Sequence, residues 1–594
     1  MLKKFLTTKS FSYSITSAAL VMMIAVIATK ITGFARQALY SGQFYGANLD
    51  IFYAANLLPE VIFNIIALGS ITAVLIPVLT KAISKEGQDK ASHIFSSILN
   101  IGILFLVICS LLLMIFTPDI ALAAENLGII KKFSPDQIQT MVNMMRILLI
   151  SPVILGVSSV VTAVLQIKRH FFITQLSPLV YNLSGILSLY IFVPFVGLYG
   201  LAIGVVFGSV LHLLVQIPAF LTTGIKYHPN SFEIKNKYTK DTGKLLGPRL
   251  FGLAGEQLVL IVQTLIALVY PAGALSAFRN ALVLRDIPIS LFGVTLAQAA
   301  FPTLSASATD DDMTNFKKYF TRTFQQIIFL VLPLAAFIMI LRLPIVRLAF
   351  GVGADSAFDW NATKLTALIL FFMTVGILWL SLVGLLVRAF YAMENTVTPV
   401  IVSLVTVIIE VILSIVFSNA FSHLSRDTDI FNIFSIFKAQ DFFQVFQNVN
   451  PTGLGAVAGI ALATAVSSFI QVLILMFLLS RKIRLFKKDF VLSTIKKFLS
   501  AFLLAASAYV TLQISEQFFP TDKTFNVFIV LGISFLISFG VYFYSEFLFE
   551  DEEFDLFVKM YQKIKGVIMK NQKIVNQVYK SFIISQEKRT QNGS

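Results

Sequence analysis

From residue 13 to residue 548 the chain is a succession of apolar runs, most of them long enough to be a membrane-crossing helix. A crossing of the roughly 30 Å hydrocarbon layer takes about 20 apolar residues as a helix, but only about 9–11 as a barrel strand. Runs of this length therefore belong to helices, which satisfy their own backbone hydrogen bonds where no water is present. The expected spans cover 13–40, 49–81, 91–117, 139–167, 171–194, 197–222, 243–271, 274–305, 317–341, 362–390, 396–421, 453–480, 490–515 and 524–548. The chain is thus read as an all-α polytopic membrane protein with about 14 transmembrane helices. Composition agrees: 57% of residues are hydrophobic and 13% charged, against roughly 25% charged in soluble domains.

The most polar interior linker, 222–244, separates six spans from the next six. The expected organisation is an N-lobe at 1–222, a C-lobe at 243–480, two C-terminal helices at 490–548 and a basic amphipathic tail at 551–594. Six being even, any internal repeat would be parallel, about an axis along the membrane normal. Segment 422–452 sets phenylalanines among polar residues and reads as an amphipathic insertion on the outer surface. MLKKF followed by AALVMMIAVIA mimics a signal peptide, but with so many later spans it reads as a retained first helix.

Lys3, Lys4, Lys9, Lys81, Lys85, Lys90, Lys168, Arg169 and the lysines of 226–244 fall on one side of this plan, and few basic residues fall on the other. That bias places both termini in the cytoplasm. It also accounts for the net charge of +15 without a nucleic-acid partner, because the basic-aromatic patches such binding uses are missing. The single cysteine, Cys109, excludes an intrachain disulfide and a multi-cysteine metal site. The five histidines have no metal-ligand spacing, and neither a phosphate-binding loop nor a nucleophile turn occurs, so no cofactor and no enzyme are expected.

What remains is charge inside the spans, which costs several kcal/mol unless it faces water or a partner. Lys30, Arg36, Asp50, Glu60, Arg146, Glu256, Arg279, Arg285, Asp286, Arg388 and Glu410 all lie there. Arg146 and Arg388 sit near helix ends and snorkel, and Arg285 and Asp286 are placed to neutralise each other. Lys30 and Arg36 flank Gly33, while Arg279, Val283 and Asp286 share one helix face. Cations lining a cavity between lobes would draw an anionic headgroup such as a phosphate. Pro59 and Pro77 in span two, and Pro288 and Pro302 in span eight, break helices at matching places in the two halves, as in alternating-access transporters. Glu410 and Ser414 share a face and, with Glu256, are candidates for a coupling cation, sodium or a proton, with a buried protonated glutamate as the alternative.

Three blocks carry a family resemblance. TKITGFARQALYSGQFYGANLDIFYAANLLPEVIF and its continuation to Lys81, then LVLRDIPISLFGVTLAQAAFPTLSAS, then RAFYAMENTVTPV resemble the MurJ (MviN) lipid II flippases of the multidrug/oligosaccharidyl-lipid/polysaccharide exporter superfamily. The resemblance implies two lobes around a basic cavity and two extra helices forming a lipid-tail groove. It implies transport of lipid II, the undecaprenyl-pyrophosphate-linked peptidoglycan precursor, from the inner to the outer leaflet of the bacterial cytoplasmic membrane, by a protein expected to be a monomer. Carried over residue by residue, the substrate-binding set is Lys30, Arg36 and Asp50, joined by Arg279 and Asp286. The chain departs from the family pattern at Phe63 and Val283, which stand where arginines are usual, and at Gln37, which stands for an acid. Arg279 lies one turn from Val283. The alternatives are a flippase for another polyprenyl-linked oligosaccharide, a drug or cation antiporter of the same superfamily, and, in a different class, a scaffold or membrane enzyme of cell-wall synthesis.

Overall fold

The computed structural model describes residues 15–65, 72–233, 235–308, 313–351, 353, 356–422, 453, 455–483, 488–520, 523–555, 558 and 562. Among these there is no strand. Most of the expected insertion at 422–452 and most of the tail lie outside the described residues.

Eleven helices among the described residues are long and apolar enough to cross a membrane, so the protein is an all-α polytopic membrane protein. Three of the expected fourteen spans are not in that set. They fall on the helix Ile15–Phe44, on Ala47–Phe63, and on Lys237–Val269, whose apolar part is Gly255–Val269. Span two, expected to run from 49 to 81, is Ala47–Phe63 plus the first turns of Thr72–Asn126. That last helix joins the end of span two to span three across a kink at Gly87, whose φ of 83° is open to glycine and strained for other residues.

The chain divides into two compact units, which it enters and leaves several times. The first comprises residues up to 287, 342–383 and 394–475. Its core includes Leu75, Leu79, Ile94, Phe95, Val164 and Leu165, all buried. Helices Phe171–Ile191 and Tyr199–Leu214 pack through a small-residue seam: a Cβ on Gly204 would run into Ser188, and one on Gly208 into Ser184. Between apolar helices in lipid, such close approach supplies the dispersion energy that the hydrophobic effect cannot.

The second unit comprises 288–341, 384–393 and 476 onward. After Pro288 its first segment is a π-helical stretch, Ile289–Val294, leading into Thr295–Ser307. Helices Thr314–Ile340 and Thr524–Leu548 pack through Phe337, Phe535 and Phe539 and through the Tyr542 hydroxyl, which donates to the Phe329 carbonyl at 2.8 Å. Lys488–Phe518 meets Thr314–Ile340 where Phe490 packs on Phe324 and Gln325 donates to Thr494 at 2.9 Å. Arg388 donates through Nη1 to the Gly384 carbonyl at 2.9 Å.

Where the last helix ends, Lys497 is fully buried and donates to Asp551 at 2.6 Å, Glu553 at 2.9 Å and Ser493 at 2.7 Å. One lysine thereby clamps the segment that follows Leu548 to the helix Lys488–Phe518. Removing one partner of a buried ion pair leaves charge unpaired, at a cost of about 3–5 kcal/mol. Lys497→Met should therefore lower the thermal unfolding temperature of the purified protein, whereas an unchanged melting curve would show that the clamp carries no stability.

Burial pushes the Glu553 carboxyl up, to about 7, against the opposing pull of Lys497. The folded protein then holds this proton more tightly than the unfolded chain does. Its stabilising contribution is fully present below the ordinary carboxyl value and is lost as pH rises through about 7. The melting temperature of the wild type, relative to Glu553→Gln, should fall between pH 5 and pH 8; a constant difference would refute this linkage.

Candidate functional site

Within the first unit a cavity of about 240 Å³ is lined by side chains from five helices. Ile15–Phe44 contributes Arg36, Gln37 and Tyr40; Ala47–Phe63 contributes Phe52, Tyr53, Asn56 and Glu60; Ala274–Pro288 contributes Arg279, Leu282, Val283 and Asp286. Tyr181 and Val205 complete it. The three- and four-residue steps within each set are those that put side chains on one helix face.

Hydrogen bonds hold the lining in place. The Gln37 amide donates to the Tyr53 hydroxyl at 2.6 Å and to Asn280 Oδ1 at 2.7 Å, and Ser41 donates to the same Asn280 oxygen at 2.8 Å. This accounts for an amide where the family resemblance leads one to expect an acid: an ionised carboxylate has no proton to donate to Asn280 Oδ1. The Arg36 guanidinium lies 5.5 Å from the centre of the Tyr181 ring, a cation–π distance. Arg279 lies 5.7 Å from the centre of Tyr53 and is paired with Glu60 through both nitrogens, at 3.2 and 3.3 Å. Asp286 is half exposed and paired with Arg285 at 2.8 Å. Among the described ion pairs no carboxylate joins Arg36.

Arg36 keeps its place partly because residue 185 has no side chain. A Cβ there would come within 2.5 Å of Arg36 Cδ and 3.1 Å of the Tyr40 hydroxyl, which donates to the Gly185 carbonyl. Gly185→Ala should therefore push the guanidinium aside and weaken anion binding several-fold while leaving the helix intact. Titration of a diphosphate ligand, with a circular dichroism spectrum as control, would measure this; unchanged affinity would show that Arg36 is not held by this contact.

Of the residues singled out from the sequence, the structure brings Arg36, Arg279 and Asp286 to one cavity. Lys30 is exposed and does not line it. Six residues of helix separate Lys30 from Arg36, a rotation of about 240° beyond one full turn, so their side chains diverge.

Asp50 also stands apart from the cavity. It is fully buried, accepts from the Gly273 and Ser276 backbone amides at 2.9 and 2.8 Å and from the Ser276 hydroxyl at 2.7 Å, and pairs with Lys132 at 3.0 Å. Lys132 donates further to the Tyr270 carbonyl at 2.8 Å. Asp50 thus caps the helix that begins at Ala274 and ties it to Ala47–Phe63 and to the loop carrying Lys132.

Of the expected cation ligands, Glu410 is hydrogen-bonded to neither Glu256 nor Ser414. Glu410 accepts from Gln263 at 2.9 Å, Thr464 at 2.8 Å and Ser467 at 3.1 Å, uniting three helices. Glu256 is exposed and lies about two turns from Gln263 on the same helix. Ser414 is buried with no hydrogen-bond partner on its hydroxyl. No group of three or more His, Cys, Asp or Glu side chains suited to a metal occurs among the described residues. One carboxylate with two hydroxyl oxygens fits a proton or a small monovalent ion better than a divalent one.

Glu60, Tyr53, Tyr181, Asn280 and Lys132 were not picked out as site residues from the sequence. Glu60 carried a signal as an acid within a span; the others carried none, since tyrosine, asparagine and a loop lysine are ordinary where they stand.

Spanning helices around a polar cavity that presents arginines from separate helices define a polytopic membrane transporter. The family model for the lipid II flippase MurJ matches residues 43–425, and the chain belongs to that family. The probable lipid II flippase MurJ of Buchnera aphidicola subsp. Acyrthosiphon pisum is 26% identical over 389 residues, 65% of this chain and 75% of the relative. That of Buchnera aphidicola subsp. Schizaphis graminum is 24% identical over 528 residues, 86% of this chain and 93% of the relative. Among solved structures, a lipid II flippase MurJ in an inward closed conformation superposes with a TM-score of 0.67 at 20% identity, covering 89% of this chain and 98% of that one. A multidrug resistance MATE family transporter in an inward-facing conformation shares the fold more distantly, with a TM-score of 0.55 at 12% identity, covering 78% and 94%.

Proposed function

We propose that this protein carries lipid II from the inner to the outer leaflet of the bacterial cytoplasmic membrane by alternating access, with Arg36 and Arg279 receiving the diphosphate. The observation that carries the reading is the convergence of these arginines, from helices Ile15–Phe44 and Ala274–Pro288, on one cavity. Charge bookkeeping supports an anion over an organic cation, because both cavity acids are already paired with arginines while Arg36 has no described acid partner. With the termini in the cytoplasm, as the loop charges indicate, the Asp50 latch lies at the outer end and holds it shut while cargo enters from inside. We assign any coupling proton or sodium ion to Glu410, with Glu256 and Ser414 outside that site. The protein is read as acting as a monomer without enzymatic activity.

Depleting the protein from a cell without a second flippase should make lipid II accumulate on the inner leaflet. Precursor reaching the outer face at the normal rate would overturn the assignment. Accumulation of a different polyprenyl-linked sugar would transfer the mechanism to that cargo.

A further inference from the structure

The cavity holds its own competitor for the cargo. Glu60 and Arg279 both line it: Arg279 Nη1 donates to one carboxylate oxygen at 3.3 Å, and Nη2 lies 3.2 Å from the other as an ion-pair contact. Nη2 and Nε keep no hydrogen-bond partner and so retain donors that a phosphate could take up. Resting on the transport reading above, we infer that Glu60 is a positioning residue: an internal stand-in for the diphosphate that holds Arg279 between transport events and surrenders it to the incoming headgroup.

Three observations support the exchange. The Glu60 side chain retains 29% exposure against 13% for Arg279, so the acid is the more accessible member of the pair. Arg279 is seated over Tyr53, whose hydroxyl is in turn fixed by Gln37. The cation is therefore anchored on its aromatic side independently of Glu60. Third, a diphosphate carries more negative charge than a carboxylate and has a second arginine to engage, Arg36, which lines the same cavity.

Two consequences follow for the transport cycle. Binding must displace Glu60, so affinity is lower than two arginines alone would give. Release is assisted, because Glu60 recaptures Arg279 as the diphosphate leaves. Glu60 thus trades cargo affinity for turnover, which suits a carrier that must let go on the far side.

The test is a double-mutant cycle on the full-length protein in lipid nanodiscs, with inorganic pyrophosphate as the probe, alongside lipid II translocation in vesicles. Glu60→Gln keeps the shape of the side chain and removes its charge. It should bind pyrophosphate about tenfold more tightly, within the range of coupling found for contacting charged groups, and translocate more slowly. In an Arg279→Gln background the same change should tighten binding by much less, through relief of repulsion alone. Equal affinity of Glu60→Gln and wild type, or equal tightening with and without Arg279, would overturn the inference. The transport reading fails separately, if pyrophosphate affinity is the same in wild type, Arg36→Ala and Arg279→Gln.

Discussion

Arg279→Ala should weaken diphosphate binding more than Arg36→Ala, and both should abolish growth when they replace the wild-type protein in a cell that depends on it. Each arginine offers charge-assisted hydrogen bonds worth about 1.5–3 kcal/mol, so loss of Arg36 should cost roughly 10- to 150-fold in affinity. Loss of Arg279 removes the same contribution and also leaves Glu60 without its partner at 3.2 Å, an uncompensated negative charge in the cavity meant for an anion. Repulsion then adds to the lost attraction. Arg36→Lys should recover part of the affinity, since a point charge remains, but not the planar fork or its stacking at 5.5 Å on Tyr181. Calorimetric titration of pyrophosphate would rank the three variants, and the opposite order for Arg279 and Arg36 would show that Glu60 does not weigh on the site.

Asp50→Asn should open the latch. The substitution keeps the volume but removes the charge opposite Lys132 and turns one oxygen into a donor, among partners that are themselves donors: Gly273, Ser276 and Lys132. Breaking a buried pair of this kind costs about 3–5 kcal/mol, enough to shift a two-state equilibrium by a factor of more than one hundred. In a background where Cys109 is changed to alanine, a cysteine placed at Tyr270, which is 2% exposed, should react with a water-soluble maleimide far faster after Asp50→Asn. Equal labelling rates would mean that the latch does not hold this end closed.

The same two sites show how far the sequence could be read. Arg36 and Arg279 stood out because a guanidinium amid apolar residues needs an explanation wherever it points, and the explanation offered was a shared polar cavity. Lys30 stood out on the same ground, but its chemical type said nothing of its rotation about the helix axis. Asp50 was legible as a functional acid and misplaced as a cargo ligand, because its partners lie at 132, 273 and 276, with nothing in the local pattern to join them. Glu410 stood out as an acid within a span, yet its partners Gln263, Thr464 and Ser467 are neutral residues, which a search for charges passes over.

Length and polarity of the apolar runs determined that the chain crosses a membrane as helices, since that outcome depends on hydrogen bonding and transfer energy along one segment at a time. Which charges meet was decided only by packing, because the Glu60–Arg279 pair joins residues 219 apart in the chain and depends on the axial rotation of two helices. A one-residue turn of either, about 100°, would part them without altering any property that the individual helices display on their own.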